Sequence, residues 1–447
     1  MEENKNDLIK EQSAPVQTAR QEKTPKKKIS TALAVLLGVV FFLISFAGGF
    51  FANYFLRGKE ANVAYDLVSI MERVGYIYDP KTNERREINE KDVADALVKG
   101  LLDRYAKYYT KEEYDEVIEK SKGNYQGVGV VLYDQSTKIR QVVGNSPAYH
   151  AGIKRGDVLL KGKVSSEEKT FSNNEQISDF INSYKSGTEL VFEVDRGGEI
   201  LQISVVKKSY VASYVTYFDN ENLCDFISNS GAPSINYELS QEMNYLDDDV
   251  GYIKLNSFEG GATWQMGQAL AYMEGRGKTK LILDLRDNGG GYMNVLTHIA
   301  SYFIRNGNSS KSAVAIAEGK AGEEVYYTDM NRYKSFISSI VVLGDQNTAS
   351  ASECLIGAIK TYNENAIIVV EKDSYGVAKT FGKGIMQTTY QLLSGGAFKL
   401  TTARVVWPNS QRTCINGVGV TTQIDGVVES QQNGAILKAL EKLREKA

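Results

Sequence analysis

Ile340-Val-Val-Leu-Gly-Asp-Gln-Asn-Thr-Ala-Ser-Ala-Ser-Glu353 is the stretch that decides the architecture of this chain. Its first four residues form a continuous apolar run, the pattern of a strand buried on both faces. A turn of small residues follows, and residues 351–362 then read as a helix. Further continuous runs at Val250–Leu255, Leu281–Leu285 and Ala366–Val370 are interleaved with helical stretches over 263–274 and 294–304. Strands alternating with helices predict an α/β core, assigned to residues 209–432. A charged amphipathic helix in 433–447 closes the chain, with Ile436, Leu437, Leu440 and Leu443 on one side. Residues 211–248 carry no clear period and turn acidic at Asp247-Asp-Asp249.

Upstream the character changes. Residues 121–208 read as short strands punctuated by glycine: Gly127–Leu132, Lys138–Val143, Asp157–Leu160, and the pair Glu189–Asp195 and Ile200–Val206. Gly197-Gly198 between the last two is a hairpin signal, and a helix fits Asn174–Ser183. Residues 58–120 read as helices, the third opened by the capping-box spacing Thr110/Glu113. Before them, no charged side chain occurs from Ile29 to Leu56, between Lys26-Lys-Lys28 and Arg57. That run is long enough to span a hydrocarbon layer about 30 Å thick. The basic cluster orients residues 1–28 as a cytoplasmic tail and 29–56 as a single-pass anchor in the cell membrane, with the rest extracytoplasmic. The alternative is a cleaved signal, for which Ala47-Gly48-Gly49 offers small residues.

The 447 residues carry a formal net charge of −3 and no dense basic cluster after residue 57, so no nucleic acid partner is expected. The three cysteines, Cys224, Cys354 and Cys414, form neither a CxxC pair nor a disulfide framework. With only His150 and His298 in the chain, no metal site is expected, and no organic cofactor.

The chemistry concentrates in three places. Ser350 sits where a buried strand turns into a helix, beside unpaired helical N–H groups, and Ala351 N–H is the natural oxyanion donor. Its bland alternative is a helix cap, because Ser350-x-x-Glu353 has capping-box spacing. In Thr380-Phe-Gly-Lys-Gly384 a lysine stands between two glycines. With no histidine near in sequence, Lys383 is the leading base, provided that desolvation depresses its pKa from about 10.4. In an extended chain Phe381, Ile385 and Gln387 share its face, and Gln387 can hold the amine without adding charge. The bland alternative is a surface lysine in a glycine turn. Finally, Leu283-Asp-Leu-Arg-Asp-Asn-Gly-Gly-Gly291 runs a buried strand into a glycine loop able to present backbone N–H groups. Gly290 is the first choice as second oxyanion donor and Gly291 the next.

Two resemblances add to this reading. Gly127-Val-Gly-Val130, Ser146-Pro-Ala148 with Ala151-Gly152, and Arg155-Gly-Asp-Val-Leu159 make residues 121–208 resemble a PDZ domain. That resemblance implies that Gly127, Val128 and Gly129 turn N–H groups toward a peptide carboxylate while the peptide adds as a strand. The whole chain after the anchor resembles the C-terminal processing peptidases, or tail-specific serine proteases. The match includes the three chemical segments, Tyr108-Tyr-Thr-Lys-Glu-Glu-Tyr114, Gly251-Tyr-Ile-Lys-Leu255, Lys399-Leu-Thr-Thr-Ala-Arg404 and Gly417-Val-Gly-Val420. The family implies a Ser/Lys/Gln arrangement that falls on Ser350, Lys383 and Gln387. Departures are Gly289 where many relatives have proline, and a longer segment over 371–379 that can reset the lysine or act as a gate.

The expected protein is a membrane-anchored serine endopeptidase that cuts protein substrates near their C-terminal tails. The main rival is an anchored PDZ scaffold with a silent α/β domain; a second is acyl transfer on a small or cell-wall substrate. The helical segments have apolar faces that suit either a homodimer or packing within one subunit.

Overall fold

Thr110 begins a helix because it satisfies that helix's first N–H groups: its hydroxyl accepts from Glu113 N–H at 3.2 Å, and the Glu113 carboxylate accepts from Thr110 N–H at 3.0 Å. In the computed structural model, which describes residues 40, 89–101, 103–226, 234–235, 245–306, 311–329, 332–393, 395–421, 424–429 and 433–445, this helix follows two other elements. They are α1 (Glu90–Leu101) and β1 (Lys107–Tyr109), and α2 itself covers Lys111–Ser121. Glu90–Ala447 form one compact unit. The span predicted over 29–56 lies, apart from Val40, outside the described residues, as do residues 58–88 of the segment expected to be helical. Among the described residues no helix is long and apolar enough to cross a membrane.

A β-rich module comes next, comprising β2 (Asn124–Gly127), β3 (Val130–Leu132), β4 (Ile139–Val142), α3 (Pro147–His150), β5 (Val158–Val164), β6 (Glu167–Thr170), α4 (Asn174–Ser183), β7 (Glu189–Arg196), β8 (Glu199–Val206) and β9 (Lys208–Val211). Strands β6-β5-β7-β8 form one sheet, while β2 pairs with β9 and β3 with β4. Gly197 and Gly198 have φ of +63° and +94°, as a two-residue hairpin turn requires. The module has its own core, in which Ile139, Ile177, Phe180 and Phe192 meet.

The remaining chain adds β10 (Val215–Phe218), β11 (Leu223–Asp225), β12 (Ser234–Ile235), β13 (Val250–Leu255), α5 (Ala262–Gly275), β14 (Lys280–Asp284), α6 (Met293–Phe303), β15 (Ala313–Gly319), β16 (Gly322–Tyr327), β17 (Ser339–Gly344), α7 (Ala351–Tyr362), β18 (Ile367–Glu371), β19 (Ile385–Gln391), β20 (Ala397–Val406), β21 (Gly426–Val428) and α8 (Gly434–Glu445). An eight-stranded sheet runs β12-β11-β10-β13-β14-β17-β18-β21, parallel from β13 onward. Ile253, Leu283 and Val342 on one face meet Met266, Leu296 and Leu355 of α5, α6 and α7. Val341 and Val369 on the other face meet α8. Each such fully buried side chain is worth about 1.5–3 kcal/mol.

One expectation needs correction. Leu437 is exposed, because α8 turns Ala435, Ile436, Ala439, Leu440 and Leu443 inward instead. That face is consumed within the subunit. Residues 371–379 form a short hairpin, closed by a Lys372–Ala378 bridge and by Asp373, whose carboxylate accepts from the N–H groups of Tyr375 and Val377. A second, antiparallel sheet, β1-β20-β15-β16 with β19 on β20, had no counterpart in the sequence reading.

Candidate active site

Three loops leave the carboxyl ends of adjacent parallel strands: 285–292 after β14, 345–350 after β17 and 372–384 after β18. Polar bonds sew them together. Thr348 Oγ1 donates to Leu285 O at 2.9 Å, Ala349 N–H to Asn288 O at 3.0 Å, and Phe381 N–H to Thr348 O at 2.9 Å. At the end of β17 the backbone turns at Ser350, with φ +58° and ψ −115°. An ordinary capping serine is extended, and a non-glycine residue in the positive-φ region carries strain that concentrates at functional sites. Ala351 is the first residue of α7, so its N–H lies among those that a helix leaves unpaired.

Gly290, at φ +101°, presses its Cα onto this turn: a Cβ there would lie 2.8 Å from Ser350 Cβ and 2.9 Å from Ala351 N. The glycine loop therefore lies beside the serine. Its expected donor needs correction, since Gly290 N–H is already engaged by Asn288 Oδ1 at 2.9 Å. In this arrangement Gly291, the second choice, is left as the loop's candidate donor.

Lys383 is partly buried, and its flanking glycines have a steric reason. A Cβ on Gly382 or Gly384 would stand 2.8 Å from Gly419 N or 2.6 Å from Asn416 N, so the lysine loop lies flat on segment 415–419. Gly382 also has φ +86°, which breaks the extended alternation. Phe381 is consequently exposed and does not cover the lysine. That cover comes from Tyr105, whose ring centroid is 5.0 Å from Lys383 Nζ. Burial lowers the lysine's pKa and Lys399 lowers it further, against the pull of Glu353 and Asp103. No hydrogen bond joins Nζ to the Ser350 hydroxyl among the described contacts.

The backbones of the two residues do meet on one carboxylate. Glu353, fully buried, accepts from Ser350 N–H at 2.8 Å, Lys383 N–H at 2.9 Å, Gly382 N–H at 2.8 Å and the Thr380 hydroxyl. Ser350, Lys383, Gln387 and Gly290 all line one cavity of about 980 Å³.

This order of elements has relatives. The model for peptidase family S41 matches residues 249–425. Those residues are similar to peptidase family S41. A probable CtpA-like serine protease of Staphylococcus saprophyticus is 25% identical over 394 residues, covering 87% of this chain and 72% of that protein. A Staphylococcus aureus protein of the same description is 27% identical, covering 75% of this chain and 59% of that protein. The solved photosystem II D1 C-terminal processing protease shares the fold, with a TM-score of 0.51 at 19% identity over 86% of this chain and 96% of its own.

Gln387 is the third residue of β19, opposite a bulge that makes Thr402 an extra residue of β20. Its amide donates to Thr401 Oγ1 at 3.0 Å rather than to Lys383. The Thr401 hydroxyl also binds Asp103, lowering that carboxyl's pKa. Gly127 ends β2, and Val128 and Gly129 lead from it to β3; Val128 is buried and its carbonyl accepts from Ala148 N–H at 2.8 Å. Beyond the pair β3–β4, β3 has no further strand partner among the described residues.

Several contacts were missed by sequence reasoning. Arg155 of the β-rich module binds Asp287 directly, Asp345 at 3.3 Å and Glu371 at 3.6 Å, one carboxylate at the root of each loop. No local pattern announces it, because its partners lie 132 or more residues away. Glu353 did leave a signal, but only half of one: its capping-box spacing. Cys354 is buried, which pushes its thiol up to about 12 and makes it inert.

Proposed function

We propose that the chain is a serine endopeptidase in which Ser350 is the nucleophile and Lys383 its base. What carries this reading is the joining of the Ser350 turn and the Lys383 backbone on Glu353, at the wall of a cavity that the glycine loop also lines. Neutral Lys383 takes the hydroxyl proton as Ser350 Oγ attacks a peptide carbonyl. Its flexible side chain must first leave the Tyr105 ring. Negative charge on the tetrahedral oxygen is met by Ala351 N–H and the glycine loop. Lys383 then gives the proton to the leaving amine as the C–N bond breaks, and water hydrolyses the ester on Ser350. Gln387 tunes the lysine's surroundings from β19.

Substrates are proteins cut near their C-terminal tails, in keeping with the activity named for the D1 relative. The β-rich module serves as a PDZ-like reader, its free β3 edge accepting the tail and Gly127, Val128 and Gly129 its carboxylate. The uncharged run Ile29–Leu56 anchors the enzyme in the membrane with residues 58–447 outside the cytoplasm. The absence of a Ser350–Lys383 hydrogen bond favours one rival, a silent tail-binding scaffold.

The full chain, incubated with an unfolded protein carrying an apolar tail, separates them. Wild type shortens the tail, and Ser350→Ala and Lys383→Ala each abolish cleavage without unfolding the protein. Undiminished cleavage by Lys383→Ala overturns the dyad, and binding without cleavage by wild type establishes the scaffold.

A further inference from the structure

Glu353 has four donors on one carboxylate and, among the described residues, no counter-ion in direct contact. A helix cap needs one or two of those bonds. Here two come from the chain 29 and 30 residues further on, Gly382 N–H and Lys383 N–H, and a third from Thr380. Thr380 is itself fixed, since its hydroxyl accepts from Val420 N–H at 2.7 Å. Oε2 alone bridges Ser350 N–H and Lys383 N–H.

We infer that Glu353 is the positioning residue of the catalytic pair, a buried carboxylate that sets the Ser350 turn and the Lys383 loop at a fixed separation. The inference rests on the Ser350–Lys383 reading above. It has a physical basis in hydrogen-bond counting. A carboxylate offers about four acceptor sites and no donor, so it alone satisfies four converging donors. Burial drives the Glu353 pKa up, while the bonds from Thr380, Gly382, Ser350 and Lys383 pull it back. Glutamine in its place must turn an NH₂ group toward two of those donors, leaving them unpaired in a buried site.

The charge reaches Lys383 as well. The ionisable groups around that lysine are Glu353 from α7, Asp103 and Tyr105 from the turn before β1, and Lys399 from β20. Glu353 raises the lysine's pKa. Removing its charge while keeping its shape therefore lowers that pKa. A role confined to holding the fold moves stability but not this titration.

The test is the pH dependence of kcat and KM for tail cleavage by the full chain with Glu353→Gln. The expected result is a kcat loss of about 10²-fold, the cost of a small misplacement, with KM unchanged and the acidic limb of kcat/KM moved to lower pH. Wild-type kcat with an unmoved limb overturns the inference, as does a loss confined to KM. If Glu353→Gln does not fold, Thr380→Val decides: lowered kcat at unchanged KM supports the inference, and wild-type kinetics overturn it. Activity that survives in Ser350→Ala removes the dyad and this inference together. Activity lost in Ser350→Ala and Lys383→Ala but intact in Glu353→Gln removes this inference alone.

Discussion

Arg155→Ala withdraws one guanidinium from three carboxylates that are almost wholly buried. The Arg155 side chain is 38% exposed, whereas Asp287, Asp345 and Glu371 are 2–4% exposed. Breaking a buried ion pair by removing one partner costs about 3–5 kcal/mol. Two facts reduce that figure here. Glu371 keeps its contact with Arg286, and Asp345 keeps the N–H of Asp287 at 3.0 Å. Water also screens the exposed part of Arg155, which leaves a loss of about 2–3 kcal/mol. At about 2–4 °C per kcal/mol, the melting temperature should fall by about 4–12 °C.

The loss should also depend on pH with a definite sign. Burial, and then Asp287, push the Asp345 carboxyl up to about 6. Its folded pKa thus lies above the unfolded value near 3.9. The charged form therefore costs stability above pH 6, and the cost disappears as pH falls from 6 toward 4. Arg155 offsets that cost, so its removal hurts most at pH 8 and least near pH 5. Scanning calorimetry of wild type and Arg155→Ala at both pH values checks this. An equal loss at both, or a change under about 1 °C at pH 8, refutes the reasoning.

Gly290→Ala should leave a folded protein whose kcat falls about 10²-fold, because the new Cβ meets Ser350 Cβ at 2.8 Å and φ is +101°. Steady-state kinetics with unchanged kcat would show that this approach is irrelevant to the chemistry. Lys383→Met should abolish cleavage yet raise the melting temperature at pH 7. Burial and Lys399 hold the folded lysine's pKa below 10.5, so the charged form costs stability below the folded pKa. The gain should shrink by pH 10, and a melting temperature lowered at pH 7 would contradict it.

Local signals carried the parallel sheet and its helices. The run of residues 351–362 was legible as a helix because its apolar positions and capping spacing agree, and α7 ends where that pattern does. The second sheet was hidden because β1 pairs with Lys399, Phe398 and Ala397, a partnership that no short window contains. The same distance hid Arg155. Ser350 and Lys383 were legible as a serine turn and a glycine-flanked lysine. Extended alternation puts Phe381 on the wrong face because the positive φ of Gly382 ends it. Gly290 was misassigned as a donor because Asn288 folds back on it, which sequence order does not reveal.

The central claim is that Ser350 is a nucleophile activated by Lys383. It is tested most directly by fluorophosphonate labelling of the full chain, with the adduct mapped by peptide mass and its rate followed against pH. The expected result is a single adduct on Ser350, a rate that rises with pH to a plateau below pH 10.5, and labelling slowed about 10²–10⁴-fold in Lys383→Ala, the usual contribution of a positioned base. An adduct on another serine, or an equal labelling rate in Lys383→Ala, would contradict it.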